Sequence, residues 1–531
     1  MRTLVDGGVG DEGVGDETRV EEVGLPGRRT AWLVPAILIG VVVVGVALRF
    51  VQRSPLWLDE ALSVNIAKLP VGDLLDALRH DGHPPLYYLL LHYWMKVFGE
   101  GDVAVRALSG IFAVAALPLA WVAGRGLAGR SGARWALVVV ALSPYCVRYG
   151  TETRMYSLVM LLVLAGYLLV LDAMTDPTWP RLVGIGFLSG LLLLTHYWSF
   201  YLLAAVALMM VGRWWLRPAT RTSSLRIVVA IAAGSLLFVP WLGGFLYQSS
   251  HTGTPWGKPF RPTAIVQQTL TDVGGGDVAE AALYGSIALI LVLLALLTVD
   301  SGGHRMTLDM RTAPTVRREI AVTALVVAIG GAAGLATSAT YQSRYAAVIV
   351  PLILLAVAVG ITRVPGAARL VAGIVYVGFS LAGILWVNYY QRTQSAEVGE
   401  AIAQRAEPGD VVVFCPDQLG PAYSRELPDD LVGLSYPALT SPERVDWVDY
   451  ADRNEAADPA EIAGEIRERA GDHAIFLVWM SDYRTYDEQC EKLVTELGLS
   501  EGLIVQDDTR FYEPAFLHWS PAPAAAPAPA G

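Results

Sequence analysis

Hydrophobic residues along this chain gather into long uncharged runs instead of alternating with polar ones. Residues 36–47, 158–170 and 287–297 contain no charged side chain, and each run extends to the roughly 20 apolar residues that a spanning helix needs. The pattern predicts about eleven membrane-spanning helices. They are placed near residues 31–50, 104–124, 135–148, 156–174, 182–195, 199–216, 227–247, 281–299, 320–338, 345–362 and 368–388.

The segment 51–103 interrupts this pattern after the first span. It is too polar to cross a bilayer, yet it carries aromatic residues such as Trp57, Tyr87 and Trp94. Tryptophan and tyrosine favour the membrane interface. We therefore expect a large loop with short helices that lie on the bilayer.

The pattern changes again beyond residue 390. Short apolar runs at 411–414 and 474–479 read as buried strands, and helical patterns at 396–405, 459–469 and 486–497 alternate with them. Such alternation predicts a small α/β domain with a mainly parallel sheet over 391–519. The domain could bind an acceptor glycan or merely cover the helices, and the second role is slightly favoured.

The predicted fold class is therefore mainly α: a polytopic helix bundle, residues 30–390, followed by the α/β domain. The acidic, glycine-rich stretch 1–29 and the Pro/Ala-rich stretch 520–531 are expected to be disordered tails. Composition agrees, since 17% of the 531 residues are charged against about a quarter in soluble domains. The net charge of −11 and the lack of a basic patch with interleaved aromatics argue against nucleic acid as a partner.

Arginine placement predicts the orientation in the plasma membrane. Arginines fill alternate connections between the spans, and all of these connections fall on the side of the N-terminus. Because positive residues favour the cytoplasmic side, we expect a cytoplasmic N-terminus and an extracytoplasmic C-terminal domain. In that domain, Cys415 and Cys490 could form a disulfide or remain two buried thiols.

The strongest candidate for chemistry is Asp59, which follows the first span together with Glu60. Carboxylates so close to the hydrocarbon are costly and are usually kept for function. A carboxylate at the outer surface could take the proton from an acceptor hydroxyl during sugar transfer. Both residues could instead cap an interfacial helix. They could also contribute to a divalent-metal site, although the sequence offers no complete ligand set.

His83 is the second candidate. It precedes Pro84 and Pro85, which force an extended turn and hold the imidazole in place. His83 could contact a donor phosphate or an acceptor, or serve only as a turn residue; Asp81 is a weaker candidate.

Further polar and aromatic residues fall on short connections of the same predicted outer face. Guanidinium groups suit phosphate because their planar fork binds two oxygens, but these residues could equally fix helix ends by internal ion pairs or snorkel to headgroups. The candidates for donor or acceptor binding are Arg148, Tyr149, Glu152, Arg154, Tyr156, His196, Tyr197, Arg344 and Tyr345.

With these residues assembled, the chain resembles the GT-C class of membrane glycosyltransferases. It is most similar to family 39, which includes protein O-mannosyltransferases and lipid A aminoarabinose transferases. The resemblance covers about residues 30–390 and is carried by four features: Leu58-Asp59-Glu60, His83-Pro84-Pro85-Leu86, the run 149–156, and Ser343-Arg344-Tyr345.

The resemblance implies an inverting enzyme that uses a polyprenyl-phosphate sugar, with Asp59 as the base and His83 and Arg344 near the donor phosphate. The acceptor would be a cell-envelope glycan, a glycolipid or a protein. Aminoarabinose transferases have a Glu-Lys pair where this chain has Gly82-His83, which is closer to the mannosyltransferase pattern. Mannose is therefore the first choice of sugar and arabinose the second.

Two other functions compete with this interpretation. A transporter or lipid flippase would be expected to place ionisable residues near the bilayer midplane, whereas here the spans have charge-free centres. A sensor anchored by the helices would leave the segment 51–103 without a purpose.

Overall fold

A computed structural model describes residues 33–253, 261–276, 279–337, 339–481, 483–486 and 488–521. The predicted tail 1–29 and nearly all of the predicted tail 520–531 lie outside these ranges. The chain divides into two compact units, Met1–Gly40 and Val41–Gly531. The second unit contains both the predicted loop and the C-terminal domain, and the fold below is that of this unit apart from the start of the first helix.

Helices dominate the chain up to residue 389. They are α1 (Leu33–Leu48), α2 (Leu58–Ala67), α3 (Val71–Asp81), α4 (Leu86–Phe98), α5 (Asp102–Ala141), α6 (Pro144–Gly150), α7 (Tyr156–Thr175), α8 (Trp179–Thr195), α9 (Ser199–Leu216), α10 (Arg221–Ser235), α11 (Leu242–His251), α12 (Pro262–Val273), α13 (Ala279–Leu297), α14 (Arg317–Thr337), α15 (Val350–Arg363) and α16 (Ala368–Tyr389).

Among the described residues, seven helical segments are long and apolar enough to cross a membrane, and three shorter apolar helices accompany them. The segment α5 is two helices joined at a kink, because Ala128 and Gly129 leave helical geometry and Gly129 has φ +62°. Its two parts correspond to the predicted spans 104–124 and 135–148. The second part ends at Ala141, where the prediction continued into what is the separate helix α6. The chain is a multi-pass membrane protein, and its predicted fold class is confirmed.

The large first loop forms the three short helices α2, α3 and α4. Residues Leu62, Val64 and Ile66 of α2 are buried, and so are nearly all the others of that helix. Thus α2 is enclosed by protein, where the sequence predicted a helix lying on the bilayer. The reason is that α4 and, from the C-terminal domain, the short helix Gly420–Tyr423 both pack against α2.

The C-terminal domain is built on the strands β3 (Gln391–Thr393), β4 (Val411–Cys415), β5 (Val432–Ser435), β6 (Ile475–Trp479), β7 (Leu503–Val505), β8 (Phe511–Glu513) and β9 (Phe516–Ser520), preceded in the chain by a hairpin of β1 (Thr298–Gly302) and β2 (Arg305–Leu308). Its helices are α17 (Ser395–Ala403), α18 (Gly420–Tyr423), α19 (Tyr450–Glu455), α20 (Pro459–Ala470) and α21 (Gln489–Glu496). The main sheet has the order β5-β4-β6-β9-β7.

The predicted strands 411–414 and 474–479 are β4 and β6, at the centre of this sheet. The strands β5, β4 and β6 run parallel, whereas β9 runs antiparallel to β6 and β7. The sheet is therefore parallel in three strands, with an antiparallel edge that the sequence did not predict; the hairpin β1–β2 was not predicted either. Cys415 and Cys490 form a disulfide.

The C-terminal domain rests directly on the first loop and on the adjoining helix ends. The amide of Trp447 donates to the carbonyl of His80 at 3.0 Å, and that of Asp449 donates to the carbonyl of His251 at 2.9 Å. We call this side of the molecule, formed by α2–α4 and the helix ends beneath the domain, the capped face.

Candidate functional site

Asp59 lies on the first turn of α2 and lines a cavity of about 420 Å³ under the C-terminal domain. Its carboxylate is 13% exposed and is 2.9 Å from Nη1 of Arg344. Nε of Arg154 is 4.0 Å away. We call this space the Asp59 cavity. It places one carboxylate and two guanidinium groups around a common opening.

Arg154 joins Asp59 to the His83 turn. Its Nη2 donates to Nε2 of His83 at 2.9 Å, and Nη1 donates to the hydroxyl of Ser63 at 3.0 Å. Because arginine can only donate, Nε2 of His83 is the acceptor. The imidazole proton is then on Nδ1, which donates to Asp81 at 2.9 Å.

Asp81 completes this network as a buried anion. It accepts from the hydroxyl of Tyr88 at 2.6 Å. Burial alone would raise the pKa of Asp81, but His83 and Arg154 hold it below its ordinary value. The carboxylate fixes the orientation of His83, so the imidazole presents a defined edge to Arg154.

The local chain geometry explains why His83 reaches the cavity. Gly82 ends α3 with φ +87°, a conformation that favours glycine. The side-chain amide of Gln248 then donates to the carbonyls of Leu78, at 2.5 Å, and His83, at 3.2 Å. The hydroxyl of Tyr197 donates to Gln248, so Tyr197 supports the turn and lines neither this cavity nor the one described below.

Glu60, next to Asp59 in sequence, is in a different environment. It is fully buried and accepts from Nε and Nη2 of Arg106, at 2.8 and 2.6 Å. The amide of Thr153 donates to it at 2.9 Å, and Arg392 lies 3.2 Å away. Burial would raise the pKa of Glu60, but the two arginines lower it below its usual value. The structure thus separates the two neighbouring carboxylates, and only Asp59 lines the cavity.

Arg148 lies in a second cavity of about 450 Å³, which we call the Arg148 cavity. Nη1 of Arg148 pairs with Asp272 at 2.8 Å, and the hydroxyl of Tyr149 donates to the other oxygen of Asp272, also at 2.8 Å. Glu152 lines the same cavity, and burial raises its pKa. One oxygen of Glu152 has no hydrogen-bond partner among the residues that the structure describes.

The two cavities are neighbours. Trp57, Gln342 and Tyr512 line both of them, and the rings of Trp57 and Tyr512 meet edge to face with centroids 5.3 Å apart. The Arg148 cavity also has Trp386 in its wall, which is 38% exposed near the end of the spanning helix α16. The two cavities therefore share a wall, and the contact between Trp57 and Tyr512 is part of that wall.

Tyr156, His196 and Tyr345 form an aromatic layer close to the arginines. The ring centroid of His196 is 5.8 Å from that of Tyr156 and 5.4 Å from that of Tyr345. Burial, reinforced by the positive charges of Arg154 and Arg344, lowers the pKa of His196 to about 3. The imidazole is thus neutral and adds no charge to the site, and of the three residues only Tyr345 lines the Asp59 cavity.

Sequence reasoning missed the residues that the C-terminal domain and α12 supply. Both oxygens of Glu513 lie 3.2 Å from the amide of Leu58, at the N-terminus of α2. Burial and the nearby Asp59 raise the pKa of Glu513 to about 8. Nothing in the sequence around Glu513, Tyr512 or Arg392 marks them, because each reaches the site only through tertiary folding. Asp272 stands in a loop that the sequence placed on the same outer face, just before the glycines at 274–276, but it was not among the candidate site residues.

A metal site does not emerge from the described part of the chain, where no three His, Cys, Asp or Glu side chains converge. The described charged groups that pair with Asp59 are the cations Arg344 and Arg154. The site is therefore equipped to bind an anion beside a carboxylate.

The multi-pass bundle, the acidic helix α2 on its capped face and the α/β domain above it define the GT-C fold of membrane glycosyltransferases. Residues 82–243 match the family model of dolichyl-phosphate-mannose-protein mannosyltransferases. This stretch contains His83, Arg148, Glu152 and Arg154. No curated protein matches the chain in sequence.

Among solved structures, ArnT supports this fold. ArnT from Cupriavidus metallidurans is similar over 92% of this chain and 98% of its own, at 13% identity; the TM-score is 0.56 for its apo state and 0.55 for its complex with undecaprenyl phosphate. The oligosaccharyltransferase of Archaeoglobus fulgidus is less similar, with a TM-score of 0.49 at 10% identity over 85% of this chain and 70% of its own.

Proposed function

We propose that this protein transfers a sugar from a polyprenyl-phosphate donor to a cell-envelope glycan, glycolipid or protein, with inversion at the sugar carbon. The observation that carries the proposal is the pairing of Asp59 with Arg344 at 2.9 Å in the wall of the Asp59 cavity. A base and a phosphate ligand are thereby held in one place, as this reaction requires.

In the proposed reaction, the acceptor hydroxyl gives its proton to Asp59 while its oxygen bonds to C1 of the sugar. The bond between C1 and the phosphate oxygen breaks, and the polyprenyl phosphate leaves with the electron pair. Arg344 and Arg154 stabilise the charge that develops on the phosphate, because fixed cations in a cavity with little water act strongly on charge formed in the transition state. The incoming phosphate competes with Asp59 for Arg344, which frees the carboxylate to accept the proton.

The lipid donor would approach through the Arg148 cavity. Support comes from Trp386, which borders this cavity at the end of a spanning helix. Arg148 would guide the phosphate, and the sugar would pass Trp57 and Tyr512 to reach Asp59. The undecaprenyl phosphate bound to ArnT favours the same class of donor.

Roles differ among the remaining candidates. His83 holds Arg154 in place and can contact the phosphate. Glu60 acts as the counter-ion of two buried arginines, so we assign it a positioning role and not a direct one. Mannose is the first choice of sugar, in keeping with the matching family model, and arabinose is the second; the capped face is proposed to be extracytoplasmic.

The test is transfer of radiolabelled sugar from synthetic polyprenyl-phosphate mannose and polyprenyl-phosphate arabinose by the purified protein in proteoliposomes. Loss of a general base lowers turnover by about 100- to 10,000-fold, so Asp59→Asn should do the same. The matched control is Glu100→Gln, which removes an exposed carboxylate paired with Lys68 and should retain wild-type turnover.

Two results would contradict the proposal. If Asp59→Asn kept more than a tenth of wild-type turnover, Asp59 would not be the base. If wild-type protein moved labelled lipid across the bilayer but transferred no sugar from either donor, the flippase alternative would be favoured.

A further inference from the structure

The C-terminal sheet has a point where the direction of its winding reverses. The chain passes from β4 outward to β5, and then returns across β4 to β6 on the other side. In open α/β sheets, ligands bind in the crevice outside the carboxyl ends of the strands at such a reversal. Here that crevice lies between the carboxyl ends of β4 and β6, which terminate at Cys415 and Trp479.

This crevice opens onto the Asp59 cavity. Gln418 and Leu419 follow β4, Met480 and Tyr483 follow β6, and all four line the cavity. We call these four residues together with Trp447 the roof. The roof faces the same space as Asp59, so a ligand held by it is within the reach of the proposed base.

Charge is divided unequally between the roof and the opposite wall. The guanidinium groups of Arg154 and Arg344 come from the membrane bundle, whereas the described lining from the C-terminal domain includes no lysine or arginine. Its one carboxyl group is Glu513, whose pKa burial raises to about 8. A phosphate therefore belongs beside the arginines, and the roof suits an uncharged ligand.

The roof offers the groups that bind a ligand rich in hydroxyls. The amide of Gln418 and the phenol of Tyr483 can donate and accept hydrogen bonds, and the indole of Trp447 supplies an apolar face. The side chain of Gln418 is also held in place before any ligand arrives. Asp417 accepts from the hydroxyl of Tyr450 at 2.5 Å, and the amide of Gln418 donates to the same hydroxyl at 3.3 Å. Such preorganisation lowers the entropic cost of binding.

We propose that the roof binds the terminal sugar of an oligosaccharide acceptor and presents one of its hydroxyls to Asp59. This inference rests on the proposed function. It gives the C-terminal domain an acceptor-binding role, which was the less favoured of the two roles that the sequence left open. A glycan end is favoured over a polypeptide because the hydrogen bonds from Trp447 to His80 and from Asp449 to His251 join the C-terminal domain to the helix ends where Trp447 and Thr252 line the cavity. A chain end can enter such a space, whereas a polypeptide would have to pass through it.

The first experiment measures sugar binding without catalysis. Full-length protein in detergent micelles is titrated with α-linked mannobiose, α-linked arabinobiose and a Ser/Thr-rich peptide, and quenching of tryptophan fluorescence reports binding. One disaccharide should bind saturably. Gln418→Leu and Tyr483→Phe should each weaken that binding about tenfold, the factor for one hydrogen bond of typical strength. Gln404→Leu, which changes an exposed glutamine directly after α17, is the matched control and should bind as wild type.

The second experiment measures transfer kinetics with the same variants. The KM for the acceptor should rise about tenfold in both roof variants, by more than any change in the KM for the donor. The inference is overturned if neither disaccharide binds, if both roof variants behave as wild type, or if the peptide binds and only its binding weakens. Transfer that is insensitive to the roof variants would refute this inference alone. If both roof variants weaken disaccharide binding but the wild-type protein transfers no sugar, the sugar site is supported and only the proposed function is refuted.

Discussion

Replacing Glu60 by glutamine separates the two neighbouring carboxylates most sharply. In the protein, Glu60 is fully buried and neutralises Arg106 and Arg392. Glutamine keeps the shape of the side chain but removes its charge, which leaves two buried guanidinium groups without this counter-ion. Removing one partner of a buried ion pair costs about 3–5 kcal/mol. We expect Glu60→Gln to lower the free energy of unfolding by that amount.

The assay is unfolding of the purified protein in mixed micelles of mild detergent and SDS, followed by tryptophan fluorescence, with turnover measured on the same samples. Glu100→Gln is the control for a lost carboxylate. The pair it breaks has side chains 54% and 39% exposed, and such surface pairs contribute under about 1 kcal/mol. Asp59→Asn should abolish turnover, while its loss of stability should be well below that of Glu60→Gln because Asp59 lies at the cavity wall.

The reasoning would be refuted by the opposite pattern. If Glu60→Gln unfolded like Glu100→Gln but lost turnover as completely as Asp59→Asn, Glu60 would belong to the reacting groups. The assignment of a positioning role to Glu60 would then be wrong, and Glu60 would have to contact the substrate during the reaction.

Three further expectations concern residues around the site. Burial and the nearby Asp59 raise the folded-state pKa of Glu513 from 4.5 to about 8, so the contribution of Glu513 to stability is complete below about pH 4.5 and is lost as the pH rises to about 8. The drop in melting temperature between pH 6 and pH 9 should therefore be smaller in Glu513→Gln than in wild type, and an equal drop in both proteins would contradict this expectation. Asp272→Asn should cost about 2 kcal/mol by breaking the charged hydrogen bond from Arg148, measured by the same SDS titration; a loss no larger than that of Glu100→Gln would count against it. Replacing both Cys415 and Cys490 by serine opens a loop spanning 75 residues and should lower the free energy of unfolding by about 4 kcal/mol. The melting temperature should fall accordingly, and an unchanged melting temperature would contradict the expected stabilisation by the disulfide.

The membrane helices and the central strands could be predicted from sequence because their signals are local. A spanning helix and a buried strand each consist of consecutive apolar residues, because lipid or a sheet core surrounds the whole segment. The spanning helices and the strands β4 and β6 could therefore be located from short stretches of sequence. The burial of α2 could not be predicted, because α18, which packs against it, comes from a distant part of the chain. The antiparallel strand β9 was missed for a similar reason: its short run, 516–520, mixes Phe, Leu and Trp with His518 and Ser520.

By itself, the sequence determined that this protein crosses the membrane many times, resembles GT-C transferases and carries Asp59, His83 and Arg344 as candidate groups. Only the tertiary structure decided which of these residues meet. It paired Asp59 with Arg344, which follows it by 285 positions in the chain, and it buried Glu60 among arginines. It also brought Glu513 to the N-terminus of α2. The physical reason is that the energy of a charge depends on its neighbours in space and on its distance from water, and neither is recorded in the residues beside it in sequence.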